Sequence, residues 1–255
     1  MAECCRKYIP MSKDEIYQKT SDEKPFRFNE DVAKVFPDML RRSIPGYAAT
    51  IEAIGSLAAR YARADTNCYD LGCSLGAATI AMRQGIDVPG CQIVAVDTAT
   101  AMTERCRDII AEDDRQFSPE TVVTVVEDDI RDIEITNASM VVLNYTLQFL
   151  TKADRGPLIQ SIHDGLNDGG LLVLSEKVVD ENQAIEQLLT DLHHEHKRRN
   201  EYSMMEVSRK RASLENVLIP ETVAAHRERL AEAGFSHSAV WLRFFNFVSI
   251  IAIKK

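Results

Sequence analysis

Long apolar runs, paired metal-binding cysteines and any excess of basic residues are absent from this sequence of 255 residues. No apolar stretch approaches the roughly 20 residues that a membrane-spanning helix requires, so we expect no membrane partner. No cysteines are spaced as CxxC with a histidine pair at zinc-ligand spacing behind them, so we expect no bound metal. Scattered thiols are typical of a reducing compartment, and residues 1–26 are too polar for a signal peptide. We therefore expect a cytoplasmic protein.

The acidic balance of the chain restricts the class of partner. Lysine and arginine number 30 against 39 acidic residues, which gives a formal net charge of −9. Proteins that hold long stretches of RNA usually present a basic face, because neutralised phosphates supply most of the affinity. A small-molecule substrate is therefore favoured over direct nucleic-acid binding. Residues 193–211 are locally basic, which leaves a phosphate contact there open.

Short apolar runs recur along the chain and predict strands. Five of them lie at 67–71, 92–96, 122–126, 140–144 and 171–174, and two more at 238–244 and 247–253. Continuous apolar runs are typical of strands that are covered on both faces, and their alternation with helical segments predicts right-handed crossovers in a parallel sheet. The last two runs predict a strand pair that closes the sheet. We expect an α/β fold whose seven-stranded sheet is mostly parallel with an antiparallel edge strand.

Helical spacing of apolar residues fills the intervals between these runs. The predicted helices lie at 29–42, 51–61, 77–82, 101–112, 158–166, 184–199, 203–214 and 222–233. Two of them follow the fifth strand and predict a helical insertion covering residues 180–218, which we expect to form the surface of a homodimer. We expect a single domain over residues 27–255, preceded by a flexible arm at residues 1–26.

A glycine-bearing turn follows the first predicted strand. Gly72 and Gly76 allow the backbone to approach a ligand closely, Ser74 is small enough to do the same, and free N–H groups at the next helix start favour an anionic group. Asp70 immediately precedes this turn. An acid there can reach the amino group of a methionine moiety, whereas a dinucleotide has no such cation.

Acids also end the second and third predicted strands. Asp97 can accept both hydroxyls of a ribose, and Asp129 can meet an adenine amino group while Ile130 covers the ring. A plain tight turn with Asp97 as a helix cap is the alternative, and NAD uses a similar turn and acid. Because the three features occupy successive strand ends without a strict GxGxxG pattern, the sequence predicts an S-adenosylmethionine site.

The sequence resembles the bacterial carboxy-S-adenosylmethionine synthases over residues 27–254. The matching motifs are VFPDM at 35–39, SIPGY at 43–47, DLGCSLGAAT at 70–79, NASMVVLN at 137–144, LQFL at 147–150, LSEK at 174–177, and KR at 210–211 with LENV at 214–217. The resemblance implies a Rossmann-like class I methyltransferase fold. It also implies an enzyme that uses prephenate as carboxyl donor to S-adenosylmethionine, giving carboxy-S-adenosylmethionine and phenylpyruvate. It also implies that a partner enzyme, a tRNA carboxymethyltransferase, uses the product to modify the wobble uridine of certain tRNAs.

The resemblance also implies roles for particular residues. The implied cofactor contacts are Tyr47, then Gly72, Cys73 and Ser74 at the methionine end, Asp97 and Thr98 at the ribose, Asp129 and Ile130 at the adenine, and Asn144 after strand four. Arg211 is the implied catalytic residue, because a guanidinium fork matches the new carboxylate and an ordinary methyl group needs no such partner. Thr98 departs from the asparagine that is more usual in the family, and the N-terminal arm is longer.

Two other functions remain open at this level: a conventional methyltransferase acting on tRNA or a small molecule, and a binding module that only stores the cofactor. Cys73 is interpreted as a small wall residue rather than a nucleophile, and Tyr202 as a packing residue rather than a substrate contact. The cluster of His193, His194 and His196 with Lys197, Arg198 and Arg199 is interpreted as a solvated helix or dimer surface, with a basic lid over the cofactor as the alternative. Glu176 and Lys177 fit either a salt bridge or a substrate contact.

Overall fold

The computed structural model of the protein describes residues 12–16, 27–117, 119–214 and 217–255, and for residues 210–214 it describes the backbone only. The strands are β1 (Asn67–Leu71), β2 (Gln92–Asp97), β3 (Val122–Glu127), β4 (Ala138–Asn144), β5 (Leu166–Lys177), β6 (His237–Phe244) and β7 (Phe247–Ile253). The helices are α1 (Glu30–Ser43), α2 (Tyr47–Tyr61), α3 (Ala77–Gly85), α4 (Thr100–Phe117), α5 (Lys152–Gly165), α6 (Gln183–Arg199), α7 (Met204–Leu214) and α8 (Val223–Glu232).

The seven strands form one sheet in the order β3-β2-β1-β4-β5-β7-β6. Strands β1 to β5 are parallel, β7 is antiparallel to β5, and the edge strand β6 is antiparallel to β7. The predicted α/β class I fold is therefore confirmed. The neighbours of β1 are β2 on one side and β4 on the other, so the strand order reverses there. Open α/β sheets bind ligands at such a reversal, outside the carboxyl ends of the strands.

Apolar side chains cover both faces of the sheet, as the uninterrupted strand runs predict. On one face, Leu158 and Ile162 of α5 and Leu230 of α8 pack with strand residues such as Leu143. On the other face, helices α2 and α3 pack on the sheet through residues such as Ile54. Burial on both faces holds the strand ends in fixed positions, which is what a binding site built from loops requires. Within the described ranges, no helix is both long and apolar enough to cross a membrane.

Several predicted boundaries differ from the structure, and two of the largest differences are at the starts of α5 and β5. Helix α5 begins at Lys152 rather than at residue 158, because its first turns carry no apolar periodicity that would mark them. Strand β5 begins at Leu166, which was predicted as helical. The pairing with β4 jumps from Ala138↔Leu166 to Met140↔Leu171, so the residues between Leu166 and Leu171 form an irregularity within β5, where Gly169 has a φ of 75°.

Part of the predicted N-terminal arm is described. Residues 1–11 and 17–26 lie outside the described residues, but Asp14 between them is buried. Its backbone N–H donates to Asp38 Oδ2 at 2.9 Å, its carbonyl accepts from Arg42 Nη1 at 3.2 Å, and its carboxylate accepts from the Tyr202 hydroxyl. The Arg42 guanidinium lies 3.9 Å from the centre of the Tyr202 ring. This buried cluster joins α1 to the turn between α6 and α7, and it confirms Tyr202 as a packing residue.

Candidate active site

A cavity of about 1080 Å³ lies at the carboxyl ends of β1, β2 and β4. Ten predicted site residues line it: Tyr47, Asp70, Gly72, Cys73, Ser74, Asp97, Thr98, Asp129, Ile130 and Asn144. The side chain of Arg211 lies outside the described residues, and its backbone belongs to α7. The structure therefore brings together residues from four strand ends and from α2, which are far apart in the sequence.

The glycine turn folds in the way its composition predicts. Gly72, Ser74 and Gly76 have φ values of 82°, 51° and 80°, and the N–H groups of Gly72 and Cys73 both donate to the Val96 carbonyl. A Cβ atom on Gly72 would lie 2.3 Å from Thr146 Oγ1. Glycine is therefore needed at position 72 for two reasons, its left-handed backbone and its close approach to the loop after β4.

Asp97 supports the turn and also faces the cavity. Its Oδ2 accepts from the Ser74 N–H and its Oδ1 from the Ala99 N–H, both at 2.9 Å. Burial raises the pKa of this carboxyl. The backbone N–H of Thr98 also hydrogen-bonds this carboxyl. A carboxylate has about four acceptor sites, so three backbone bonds leave room for a ligand hydroxyl. The capping and ligand-binding interpretations of Asp97 are therefore compatible.

Asp70 is the most enclosed acid of the cavity wall. Its Oδ2 accepts from Thr79 Oγ1 at 2.6 Å, and burial raises the pKa of Asp70 to about 6. At neutral pH the group is mainly ionised in a poorly solvated place, where a cation would be attracted strongly. Asp129, at the end of β3, is instead paired with Arg131, whose Nη2 donates to Asp129 Oδ2 at 2.6 Å.

The loop after β4 completes the floor of the cavity. The Oδ1 atom of Asn144 is buried and has no hydrogen-bond partner within the described part of the chain. The carboxylate of Glu176 accepts from the N–H groups of Leu147 at 3.0 Å and Gln148 at 2.9 Å, and burial raises the pKa of Glu176 to about 8. This contact is neither the salt bridge nor the substrate contact predicted for Glu176. The residue instead anchors the backbone of the loop that carries Thr146.

The end of β5 and helix α6 contribute a cationic wall, which we define as Lys177, His193 and Lys197. All three line the cavity together with Glu186 and Thr190 of α6. His193 and Lys197 are only 5% and 7% exposed, so the interpretation of this cluster as a solvated surface was wrong for both. Residues 186, 190, 193 and 197 share one face of a helix, and this spacing is the signal that could have identified the wall.

The thiol of Cys73 has the properties of a wall residue. Cys73 is buried beside Cys106, and the hydrogen bond with Cys106 and burial both raise the pKa of the Cys73 thiol. A nucleophilic cysteine needs a stabilised thiolate, so the geometry supports the predicted packing role.

Comparisons with known proteins agree with this geometry. A family model described as a methyltransferase domain matches residues 69–170. The carboxy-S-adenosyl-L-methionine synthase of Aliivibrio fischeri is 54% identical over 229 residues, covering 90% of this chain and 93% of that protein. The synthase of the same name from Vibrio campbellii is also 54% identical, covering 90% and 92%. An O-methyltransferase family protein from Burkholderia thailandensis superposes with a TM-score of 0.63 at 16% identity, covering 95% of this chain and 67% of that one.

The strand order and the site at the end of β1 define an enzyme with the Rossmann-like class I fold of S-adenosylmethionine-dependent methyltransferases. That fold hosts many reactions and does not by itself distinguish among them. The similarity over nine-tenths of the sequence is more specific, and the chain belongs to the carboxy-S-adenosyl-L-methionine synthase family.

Proposed function

We propose that this protein converts S-adenosylmethionine and prephenate into carboxy-S-adenosylmethionine and phenylpyruvate. The observation that carries the proposal is a single cavity with acids and an amide at the strand ends and a cationic wall from β5 and α6. Its volume of about 1080 Å³ slightly exceeds the range of roughly 300–1,000 Å³ that is typical of small-molecule sites, which suits two ligands side by side.

The residues present fit S-adenosylmethionine. The unpartnered Oδ1 of Asn144 offers an acceptor, and buried acceptors are normally satisfied, so a ligand at this position would remove an energetic cost. Asp70 would hold the methionine ammonium, and Gly72, Cys73 and Ser74 would lie along the methionine chain. At the other end, Asp97 and Thr98 would hold the ribose, Asp129 and Ile130 the adenine, and Tyr47 would close the site from α2.

S-adenosylmethionine supplies the sulfonium methyl carbon on which the carboxylate is built. The reaction balances without an added oxidant or metal, because prephenate gives up carbon dioxide and hydroxide while the methyl carbon gives up a proton, forming water. The protein therefore has to hold the two substrates together and exclude bulk water, and apolar residues such as Phe36, Leu75 and Phe149 line the cavity. Arg211 would hold the new carboxylate with a bidentate pair.

Further parts of the proposal concern the setting of the reaction. We expect a cytoplasmic enzyme whose product passes to a tRNA carboxymethyltransferase. We also expect a homodimer formed through the helices after β5, because Ile185 and Leu188 of α6 and Met204 and Met205 of α7 are exposed apolar residues. Size-exclusion chromatography with light scattering tests this expectation, and a monomer at micromolar concentration would contradict it.

Mass spectrometry of the small molecule released from the purified, heat-denatured protein tests the proposed function. The proposal predicts S-adenosylmethionine heavier by one carbon dioxide, bound in proportion to protein. Only unmodified S-adenosylmethionine, with a methylated product and S-adenosylhomocysteine on turnover, would instead support a conventional methyltransferase. Bound cofactor with no turnover of prephenate would support a binding module.

A further inference from the structure

The cationic wall is built into the fold rather than placed on the surface. Lys177 is the last residue of β5, and His193 and Lys197 lie one turn apart on α6. Lys197 and Lys177 are both close enough to His193 to act on it electrostatically. The His193 ring lies against Phe247 with ring centres 4.9 Å apart, and Phe247 contacts Tyr145 beside Asn144 at 6.0 Å. Packed rings therefore connect the cationic wall to the part of the cavity that the strand ends form.

The orientation of His193 is fixed by one hydrogen bond. Its Nε2 lies 2.9 Å from the Ser43 carbonyl, which can only accept, so Nε2 carries the proton and Nδ1 is the acceptor. Burial and the charges of Lys197, Lys177 and His194 lower the pKa of His193 to about 2, which keeps the ring neutral. The wall thus combines two ammonium donors with one neutral acceptor.

Glu186 lies on the same face of α6 and is held by two neutral donors, because it accepts from the Asp180 N–H at 2.8 Å and from Thr190 Oγ1 at 3.2 Å. Lys197 lines the cavity and is only 7% exposed. A carboxylate bound there would form charge-assisted hydrogen bonds away from bulk water, where such bonds are stronger.

We propose that Lys177 and Lys197 bind the carboxylates of the second substrate, a hydroxylated organic dianion, and that His193 accepts a hydrogen bond from its hydroxyl group. This assignment rests on the proposed function and adds residues for the carboxyl donor, whereas the glycine turn and the acids serve S-adenosylmethionine. A carboxylate bound by the wall would lie in the same cavity as Asn144, so the two ligands would share one site.

Steady-state kinetics of Lys197→Met and Lys177→Met test the assignment. Because each substitution removes a charge-assisted hydrogen bond, we expect the KM for prephenate to rise at least about tenfold. The calorimetric Kd for S-adenosylmethionine should change less than about threefold. Lys197→Arg keeps the charge and is expected to recover most of the loss. Lys152→Met is the matched control, because Lys152 is exposed on α5 and does not line the cavity.

The outcomes separate the assignment from the proposed function. If both methionine variants fold and keep the wild-type KM for prephenate, the assignment of the lysines is wrong. The proposed function still stands in that case, because the wild-type enzyme turns over prephenate. A loss of S-adenosylmethionine affinity with an unchanged KM also overturns it, because the lysines would then serve the methionine carboxylate. If the wild-type enzyme does not turn over prephenate, the proposed function fails, and calorimetry with prephenate itself then decides on the subsite. If Lys197→Met abolishes this binding, the assignment of the lysines is supported. If the variant binds as the wild type does, the assignment is wrong.

Discussion

Replacing Gly72 by alanine perturbs the turn at its tightest point. A left-handed backbone costs a residue with a Cβ atom roughly 1–2 kcal/mol, and Gly72 has a φ of 82°. The new Cβ would also lie 2.3 Å from Thr146 Oγ1 and 2.4 Å from its Cγ2, an overlap that forces the loop after β4 to move. Overpacking of this kind typically costs a further ~1–3 kcal/mol. We therefore expect a total penalty of about 2–5 kcal/mol, divided between folding stability and cofactor affinity.

Isothermal calorimetry with S-adenosylmethionine, together with thermal unfolding, measures both parts of this penalty. Even 2 kcal/mol expressed in binding weakens affinity by roughly 30-fold. Adding Thr146→Ala removes the two closest atoms but leaves its Cβ at 2.9 Å, so the double variant should recover part of the loss. Gly156→Ala is the matched control, because a Cβ there meets nothing within 4 Å. Affinity and melting temperature of Gly72→Ala both equal to those of Gly156→Ala would refute this account of the turn.

Three further predictions follow from buried polar groups. Glu176→Gln should lower the free energy of unfolding by about 1–3 kcal/mol, measured in urea, because an amide offers one acceptor oxygen to two backbone N–H groups; unchanged stability would contradict the anchoring role. Because the pKa of Asp70 is raised to about 6, affinity for the ammonium-bearing cofactor should rise as pH increases through 6, and Asp70→Asn should abolish the rise; a parallel pH profile in the variant would exclude Asp70. Without the cofactor, the stability of the fold should change in the opposite direction. The contribution of Asp70 should fall as pH rises from 3.8 to about 6, since its carboxyl ionises at a lower pH in the unfolded chain than in the folded protein. Asp14→Ala should cost about 1–3 kcal/mol, whereas Lys13→Ala, which removes an exposed pair with Glu201, should cost under about 1 kcal/mol; equal effects would mean that the buried cluster does not stabilise the fold.

The part of the site that the sequence predicts is the part built from local chemistry. Gly72, Asp97 and Asp129 each follow an apolar strand run, and parallel strands bring their carboxyl ends to one edge of the sheet. No long-range information was needed to place them there.

The remaining contacts depend on packing between distant segments. Glu176 anchors a loop almost 30 residues earlier through backbone N–H groups, which carry no side-chain signal. Asp14 meets Tyr202 across 188 residues. His193 and Lys197 were interpreted as a surface because charged helix residues usually are solvated, and only the position of α6 over the cavity buries them.

Transfer of labelled carbon tests the central claim most directly. The enzyme is incubated with unlabelled S-adenosylmethionine and with prephenate that carries ¹³C in the carboxylate on its ring, and the products are analysed by mass spectrometry. The account predicts labelled carboxy-S-adenosylmethionine and unlabelled phenylpyruvate in equal amounts. Carboxy-S-adenosylmethionine without the label, or S-adenosylhomocysteine with a methylated acceptor in its place, would contradict it.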